Sequence, residues 1–349
     1  MQPLISFIIP YYNIQETLLK GCLDSIMALN LQSHEREIVI IDDGSELPAK
    51  ELLKDYINSC HIFRQENKGL SEARNSGLKL AIGEYVQFVD ADDRLIDYIY
   101  NKCIDSLIHN KPDILKFHYS HNPEPDDKPL TETIYESGAQ FVSQNNLEAG
   151  ACAYIFKRNI LKSLRFSPGI FHEDEEFTPL LFLRAGKTVI TDAQPYFYYQ
   201  REDSIVSSYS ESIVKKRLDD FYNVILRLKD LKQTINENLH LIDSENDRNL
   251  FIDDIKVDET SLKALTRKID QASMDYIINV IRLNKILQKS NKENKTNKSL
   301  SQTLDKHLAK MKADGLFPLN KANYTRNYSI FRSLVNNSLL RKFLLIKDF

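Results

Sequence analysis

Three aspartates stand within four positions of the stretch FVDADDRL, which covers residues 88–95. They follow a short apolar run, and aspartate is uncommon inside strands. Carboxylates this close repel each other, so the cluster is either the solvated end of a strand or a set of acids that shares a cation. Carboxylate and phosphate oxygens are the ligands that Mg²⁺ and Mn²⁺ prefer. The spacing Asp90-x-Asp92 therefore favours a site where a divalent cation joins the protein to a nucleoside diphosphate, with three solvated turn acids as the alternative.

Other polar residues follow neighbouring apolar runs in the same way. The first run leads into Pro10, Tyr11, Tyr12 and Asn13, the second leads into Asp42, Asp43, Gly44 and Ser45, and a later stretch carries Lys68, Arg74 and Asn75. In an open parallel sheet, ligands bind beyond the carboxyl ends of the strands. Asp43 at such an end could accept hydrogen bonds from a base or a ribose. Alone, each group fits an ordinary turn or a solvated helix, but together they predict one crevice that gathers acids and cations.

The elements that must position these residues alternate along the first third of the chain. Short apolar runs predict strands, and periodic apolar residues between them predict helices. Strands are expected at 4–9, 37–45, 61–65, 84–90 and 113–120, and helices around 19–29, 47–57, 71–82 and 95–109. Strands joined by helices of this length form βαβ crossovers and a parallel sheet. The predicted fold class is α/β, with a mostly parallel-sheet, Rossmann-like nucleotide-binding domain.

The pattern changes in the second half of the chain. Residues 150–205 predict short strands with a helix at 175–185. A long amphipathic helix is indicated by apolar residues three, four or seven apart, namely Val214, Leu218, Phe221, Ile225, Leu228 and Ile235. The polar stretch 288–302 is predicted as a loop or a flexible break. We therefore expect a mainly α-helical C-terminal region from residue 211, with the boundary near residue 210.

Composition excludes several classes of protein. The 349 residues are 42% hydrophobic and 27% charged, with a formal net charge of −3, and nothing in this balance predicts nucleic-acid binding. The four cysteines have no spacing typical of disulfides or zinc sites, and they are Cys22, Cys60, Cys103 and Cys152. No apolar stretch approaches the ~20 residues of a membrane span, and the N-terminus lacks the features of a signal peptide. The expected location is the cytoplasm.

The chain resembles a known family. The stretches SFIIPYYN, EIVIIDDGS, NKGLSEARNSGL and GEYVQFVDADD occur in the order and spacing of family 2 glycosyltransferases, which have the A-type glycosyltransferase fold. The resemblance continues through FHEDEEFTPLLFLRAGK (171–187) and YYQREDSIVSS (198–208). It implies a catalytic domain at 1–210, with a nucleotide-sugar half at 1–120 and an acceptor half at 121–210.

The resemblance also implies a binding site for the sugar donor. Its residues would be Pro10, Tyr11, Tyr12, Asn13, Asp42, Asp43, Asn67, Lys68, Arg74, Asn75, Asp90, Ala91, Asp93, His172, Glu173 and Arg201. Asp43 would line the nucleoside pocket with Pro10 and Tyr12, while Lys68 and Arg74 would approach base or phosphate. Asp90 would approach the ribose, and Asp92 together with Asp90 would hold Mn²⁺ or Mg²⁺, with Asp93 just outside the metal ligands.

Asp174 is the candidate catalytic base. The Glu173-Asp174 pair matches the family's acceptor-side motif, and an ionised carboxylate at a helix N-terminus is favoured by the helix dipole. Such a carboxylate can take the proton of an acceptor hydroxyl; the alternative is a purely electrostatic cap. His172 could orient Asp174, touch a phosphate or simply pack. Arg201 matches a basic flap position or is a surface arginine, and the neighbouring Gln200 departs from the family's commonest form.

The expected function is therefore inverting, metal-dependent glycosyl transfer. The donor would be a nucleotide-diphosphate sugar, with a UDP-sugar favoured, and the acceptor would be a glycan or lipid-linked glycan in polysaccharide or surface-glycan synthesis. A dinucleotide-binding dehydrogenase is excluded because the turn PYYNIQE after the first run has no glycine. A catalytically degenerate nucleotide-sugar-binding module and a sugar-nucleotide pyrophosphorylase stay as alternatives.

The last 21 residues form an amphipathic pattern with basic flanks. Residues 329–349 place Arg332, Arg341 and Lys342 beside an apolar stripe of Phe331, Leu334, Val335, Leu339, Phe343 and Ile346. Such a helix can lie on an anionic membrane, here the inner leaflet, or it can pack on its own domain. Packing is the favoured expectation, and peripheral membrane contact is the alternative.

Overall fold

A computed structural model of the chain describes residues 2–200, 210–239, 250–290, 297–320, 326–338 and 340–341. The described residues form two compact units. The first consists of 2–141, 149–200 and 251–256, and the second consists of 142–148 and the remaining described residues from 210 onward. The predicted boundary near residue 210 stays a prediction. Two short segments were not expected where they are found: 142–148 belongs to the second unit, and 251–256 belongs to the first.

The first unit alternates strands and helices. Its strands are β1 (Ile5–Tyr11), β2 (Arg36–Asp42), β3 (His61–Arg64), β4 (Tyr85–Phe88), β5 (Arg94–Leu95), β6 (Ile114–Lys116), β7 (Tyr119–Ser120), β8 (Glu132–Tyr135), β9 (Tyr154–Lys157), β10 (Thr188–Thr191) and β11 (Tyr196–Phe197). Its helices are α1 (Glu16–Met27), α2 (Ala49–Leu52), α3 (Leu70–Leu80), α4 (Asp97–Asn110), α5 (Gly138–Gln144), whose last residues belong to the second unit, and α6 (Glu173–Arg184). Most strands and helices expected in the first third of the chain are present, with ends shifted by a few residues. The helix expected at 47–57 is instead the short α2 followed by a 3₁₀ turn at Lys54–Tyr56.

The main sheet has the strand order β3-β2-β1-β4-β9-β6-β10-β8. All seven residues of β1 are buried, as expected for an apolar strand that is covered on both faces. The strands β3, β2, β1 and β4 are mutually parallel, and β10 is parallel to β6. This arrangement brings the carboxyl ends of β1, β2 and β4 to one edge of the sheet.

One strand enters the sheet from a later part of the chain than expected. β9 lies between β4 and β6 and is antiparallel to both. The expected strand 113–120 is split, so that β6 belongs to the main sheet and β7 to a small sheet of order β5-β11-β7. The prediction of one continuous strand at 113–120 was therefore wrong. The small sheet matters for the site, because β5 follows the aspartate-rich turn and β11 pairs with it.

The second unit is helical. Its helices are α7 (Glu211–Leu239), α8 (Glu259–Ser290), α9 (Asn297–Ala313) and α10 (Arg326–Asn336). The predicted amphipathic helix is confirmed, since the six apolar residues that defined its stripe are all buried in α7. The prediction of a loop at 288–302 was wrong where the structure describes it, because α8 continues to Ser290 and α9 begins at Asn297. The polar composition of this stretch fits a solvated helix face as well as a loop.

A short hairpin in the C-terminal half was not predicted. The strands β12 (Phe251–Ile252) and β13 (Ile255–Lys256) pair antiparallel and belong to the first unit. Asp253 and Asp254 form the turn with φ values of 49° and 62°. Aspartate tolerates this left-handed conformation, which two-residue hairpin turns require. Two-residue strands are too short to give a periodic pattern, so the sequence carried no clear signal for them.

The described part of the C-terminal stripe packs within the second unit. Phe331 and Val335 of α10 are buried. Arg341 Nη1 lies 3.0 Å from Asp305 Oδ1, and Arg341 Nε donates to the Val335 carbonyl at 2.7 Å. The predicted stripe residues Leu339, Phe343 and Ile346 and the basic Lys342 lie outside the described residues. Across the described ranges, each helix is too short or too polar to cross a bilayer.

Candidate nucleotide-sugar site

The turns after β1 and β2 are tied together by side-chain hydrogen bonds. Asn13 has a φ of 49°, a conformation that few non-glycine residues adopt and that often occurs at functional sites. Its backbone N–H donates to Ser45 Oγ at 3.1 Å, and its Oδ1 accepts the Glu46 N–H at 2.8 Å. Tyr12 beside it is half exposed. The turn is thus held rigidly, with Tyr12 open to a ligand.

Asp42 serves the protein's own backbone. Its carboxylate accepts the backbone N–H groups of Ser45 at 2.9 Å and Ala49 at 3.0 Å, and it pairs with Arg64 Nη1 at 2.9 Å. The residue is 1% exposed. It shapes the turn after β2, and no geometry in the described residues supports its predicted contact with the ligand.

Asp43 organises the loop that leads into α3. Oδ1 accepts Gln65 Nε2 at 2.7 Å and the Lys68 N–H at 3.0 Å, while Oδ2 accepts the Gly69 N–H at 2.8 Å. A carboxylate has about four acceptor positions, so one remains for a donor group on a base or ribose. Asn67 and Lys68 of this loop are exposed. The loop passes so close to Gly44 that a Cβ there would lie 2.7 Å from the Asn67 nitrogen.

Arg74 is a buried cation between two acids from different parts of the chain. Nη2 lies 3.2 Å from Asp90 Oδ1, and Nη1 lies 2.8 Å from Glu173 Oε1. The guanidinium also lies 5.8 Å and 5.4 Å from the ring centroids of Phe88 and Phe166. Burial by itself lowers the pKa of Arg74, but the two carboxylates outweigh burial and raise it. Arg74 therefore stays charged and joins the turn after β4 to the start of α6.

Asn75, the next residue on α3, has a structural partner. Its side chain donates to the Phe166 carbonyl and accepts the Phe166 N–H, both at 2.9 Å. The neighbouring candidates Pro10, Tyr11 and Ala91 are buried, and the Tyr11 hydroxyl lies 3.4 Å from the Leu47 carbonyl. All four residues are buried, and their predicted ligand contacts stay predictions.

The aspartate-rich turn follows β4 directly. The side chains of Asp90 and Asp92 are partly exposed, while Asp93 is buried. Asp93 Oδ2 accepts the hydroxyl of Tyr196 at 2.7 Å, and Oδ1 accepts the Tyr199 N–H at 2.8 Å. Burial, followed by the charge of Asp90, raises the pKa of Asp93 above the ordinary range of aspartate. Tyr196 was missed at the sequence level, because nothing distinguishes it from the other tyrosines of PYFYYQ.

The start of α6 gathers four acids. Glu173, Asp174, Glu175 and Glu176 occupy its first turn, where the helix dipole favours negative charge. His172 precedes them with a φ of 63°, so a second non-glycine residue at the predicted site adopts the left-handed conformation. Burial raises the pKa of Tyr119, and the charges of Asp90 and Asp174 add to this shift. Asp90 and Glu173, the residue before the candidate base, both contact Arg74, so the aspartate turn and the start of α6 lie close together.

Asp90 and Asp92 fit a metal ion whose remaining ligands come from the substrate and from water. Within the described ranges, no cluster of three or more histidines, cysteines or acids has the geometry of a metal site. Mg²⁺ and Mn²⁺ bound with a nucleotide need only one or two carboxylates, since phosphates and water supply the other ligands. Asp90 and Asp92 present two partly exposed carboxylates two residues apart, which suits this arrangement. Arg201 lies outside the described residues.

Comparison with known proteins identifies the family. The model of glycosyl transferase family 2 matches residues 6–165. An uncharacterised glycosyltransferase from Haemophilus influenzae is 31% identical over 180 residues, which are 50% of this chain and 70% of that protein. The chain belongs to glycosyl transferase family 2. The prediction of a family 2 glycosyltransferase is thereby confirmed, and the matched region contains every candidate residue except those from His172 onward.

The chain covers only part of another similar glycosyltransferase. GlyA of Streptococcus pneumoniae is 27% identical over 256 residues, which are 67% of this chain and 36% of GlyA. The chain thus spans little more than a third of that relative's length. The sequence identity is therefore confined to one part of GlyA.

Solved structures confirm the predicted fold class. The Staphylococcus aureus protein TarS (residues 1–349, with UDP-GlcNAc) has a TM-score of 0.56 at 18% identity and covers 98% of this chain and 92% of its own. The mannosyltransferase PcManGT of Pyrobaculum calidifontis, solved with GDP-Man and Mn²⁺, has a TM-score of 0.51 at 13% identity, with 99% and 88% covered. At these identities the likeness shows the A-type glycosyltransferase fold with a helical C-terminal region.

Proposed function

We propose that this family 2 glycosyltransferase moves a sugar from a nucleoside-diphosphate donor to an acceptor hydroxyl with inversion at the anomeric carbon. The observation that carries the proposal is the Arg74 bridge between Asp90 and Glu173. It joins the turn that would bind the donor to the helix that bears the candidate base. The proposed donor-binding turn and the proposed acceptor-side helix would therefore lie on either side of one buried cation.

The chemistry follows from the residues in this neighbourhood. Asp174 accepts the proton of the acceptor hydroxyl as its oxygen attacks the anomeric carbon. The bond from that carbon to the diphosphate oxygen breaks at the same time, and the electron pair leaves with the diphosphate. Because attack is direct, no sugar is attached to the protein at any step. A divalent cation held by Asp92 and Asp90 would neutralise charge on the departing diphosphate.

The donor and acceptor are narrower proposals. A UDP-sugar is the favoured donor, and Asp43, with its remaining acceptor position, would recognise the base or ribose. TarS was solved with UDP-GlcNAc and PcManGT with GDP-Man, so the fold accommodates either base. The acceptor would be a glycan or a lipid-linked glycan. In α10 the stripe residues Phe331 and Val335 are buried, which favours packing within the protein over contact with a membrane surface.

The test is a panel of sugar nucleotides, titrated by calorimetry with Mn²⁺ and then with EDTA. We expect one nucleotide class to bind only when Mn²⁺ is present, and a sugar from that class to be transferred or slowly hydrolysed. Binding without any turnover would favour a degenerate binding module. Release of pyrophosphate from a sugar phosphate and a nucleoside triphosphate would favour a pyrophosphorylase. No binding by any member of the panel would overturn the proposal.

A further inference from the structure

Tyr196 holds the backbone of the aspartate turn from a distant part of the chain. The Asp90 N–H donates to the Tyr196 hydroxyl at 3.0 Å, across 106 residues of sequence. The hydroxyl in turn donates to Asp93 Oδ2 at 2.7 Å. We propose that Tyr196 is a positioning residue, which fixes the Asp90–Asp92 turn for binding of the donor's diphosphate and its metal. This inference rests on the proposed function.

The direction of each hydrogen bond is fixed by the groups involved. A phenol has one proton to donate and two lone pairs that accept. The Asp90 amide can only donate, so the hydroxyl accepts a hydrogen bond from it and donates a hydrogen bond to Asp93 Oδ2. Asp93 Oδ1 is occupied by the Tyr199 N–H at 2.8 Å. Both oxygens of Asp93 are therefore bound by one short segment, and that segment also holds the Asp90 amide.

The tyrosine itself is firmly placed. Tyr196 is 0% exposed, and its backbone pairs with Leu95 of β5 and Tyr119 of β7. Its ring meets that of Tyr119 edge to face, with centroids 5.3 Å apart. A fully buried ring that packs against a neighbouring ring has little freedom to move. The hydroxyl therefore acts as a fixed point for a turn whose carboxylates are partly exposed.

Arg74 and Tyr196 hold different groups of Asp90, whose carbonyl also accepts the Asp93 N–H at 3.0 Å. Arg74 holds its side chain through Oδ1, and Tyr196 holds its backbone. Loss of the tyrosine hydroxyl leaves the Arg74 contact in place but leaves the Asp90 amide without its acceptor. We expect the turn to tilt, so that its carboxylates meet a metal less well, while the nucleoside pocket around Asp43 is unchanged. Removing such partners of metal-binding groups typically costs about 10–100-fold in metal affinity or activity.

A matched control separates positioning from stability. Tyr222 is also 0% exposed and also donates its hydroxyl to an aspartate, Asp314, but it lies in the helical unit. Tyr196→Phe and Tyr222→Phe should lower the melting temperature by similar amounts. Only Tyr196→Phe should raise the Mn²⁺ concentration needed for half-maximal UDP binding, by about 10–100-fold, with binding restored at saturating Mn²⁺. An unchanged Mn²⁺ requirement, or an equal shift in both variants, would overturn the inference.

Hydrogen exchange gives a second measurement that needs no ligand. In Tyr196→Phe the Asp90 amide should exchange faster by at least about tenfold, since its acceptor is gone. The Val89 amide, which donates to the Ile8 carbonyl at 3.0 Å, should keep its protection. Unchanged exchange at Asp90 would overturn the inference even if the wild type bound UDP. Failure of the wild type to bind any nucleotide would instead count against the proposed function, with the exchange result still deciding the role of Tyr196.

Discussion

Arg74 and Glu173 are 99 residues apart in the chain, yet Arg74 Nη1 lies 2.8 Å from Glu173 Oε1. Both side chains are largely buried, at 5% and 13% exposure. A buried guanidinium is costly unless carboxylates compensate for its lost hydration, and Glu173 and Asp90 together do so. The pairing explains why an arginine stands here: its planar fork presents separate N–H groups to the two acids in fixed directions, whereas the ammonium of lysine is a compact point charge.

Removing Arg74 should therefore destabilise the fold. We expect Arg74→Ala to lower the free energy of unfolding by about 3–5 kcal/mol, because it leaves two carboxylates without their cation. Arg74→Lys should fall between this variant and the wild type. Urea denaturation measures both. Lys20→Ala, which removes an exposed pair with Glu16, is the control and should change stability by less than about 1 kcal/mol. Equal effects of Arg74→Ala and Lys20→Ala would contradict the bridge.

Asp174 should be needed for transfer but not for donor binding. An amide cannot take the acceptor's proton, so Asp174→Asn should keep the affinity for the donor and lose about 10²–10⁴-fold in turnover, the usual contribution of a general base. Initial rates and donor titration measure the two effects separately. Glu175→Gln, in the same helical turn, serves as the control and should keep most activity. Transfer by Asp174→Asn within a few-fold of the wild type would show that another group is the base.

Asp92 should govern metal-dependent binding. Asp92→Asn removes the charge that a divalent cation seeks, so UDP should bind weakly and its affinity should no longer respond to EDTA. Calorimetry with and without Mn²⁺ measures this, and circular dichroism checks the fold. Asp97→Asn, an exposed acid in the first turn of α4, should behave like the wild type. Wild-type Mn²⁺ dependence in Asp92→Asn would remove Asp92 from the metal site.

Gly77 allows α3 to lie close against the sheet. A Cβ at this position would lie 2.2 Å from Ile8 Cγ2, in the middle of β1. We expect Gly77→Ala to destabilise the protein by about 1–3 kcal/mol, the usual cost of overpacking. In Gly21→Ala the new Cβ would meet only the end of the exposed Arg94 side chain, which can move aside. That variant should be neutral or up to about 1 kcal/mol more stable, since alanine favours a helix. Thermal denaturation of both variants tests the contrast.

His307 should make the helical unit sensitive to mild acid. Its Nδ1 lies 2.6 Å from the Tyr276 hydroxyl. Burial and the positive charges of Lys310 and Lys306 lower the pKa of His307, and the negative charge of Asp219 opposes this shift only in part. The folded state therefore binds fewer protons than the unfolded state below the ordinary histidine pKa of about 6.5. The stability from neutral His307 is fully present above that pH and declines as the pH falls towards the lowered pKa. His307→Asn keeps an acceptor near Nδ1 and should lose less stability between pH 7 and pH 5.5. Parallel denaturation curves for both proteins would contradict this.

Local patterns in the sequence predicted most of the first unit. β1, β2 and β4 are apolar runs followed at once by polar residues, so both the strands and the neighbourhood of Asp43 and Asp90 could be inferred. The order of strands in the sheet could not be inferred in full. β9 is as apolar as its neighbours, and nothing in its own residues states that it lies antiparallel between β4 and β6.

Side-chain partners far apart in sequence were the part that escaped prediction. Arg74, Asp90 and Glu173 were all expected to contact the ligand. In the structure Arg74 also contacts both of these acids. Asp42 and Asn75 looked like ligand contacts because they are polar and lie near a strand end or in the loop-helix motif. The structure shows that Asn75 bonds to the backbone of Phe166, and that Asp42 bonds to two backbone N–H groups and to Arg64. No short motif encodes these partners, and the ligand contacts of both residues stay predictions.

The two short segments that change units have an evolutionary consequence. Residues 142–148 belong to the helical unit, where Leu147 exchanges hydrogen bonds with Gln271 of α8. The hairpin 251–256 belongs to the first unit, where Asp254 pairs with Lys162 at 2.8 Å. A single recombination event at any one position would separate one of these segments from its partners. Swapping the helical unit with that of a relative therefore needs three pieces of gene to move together, and this part of the protein should be inherited with its catalytic neighbour.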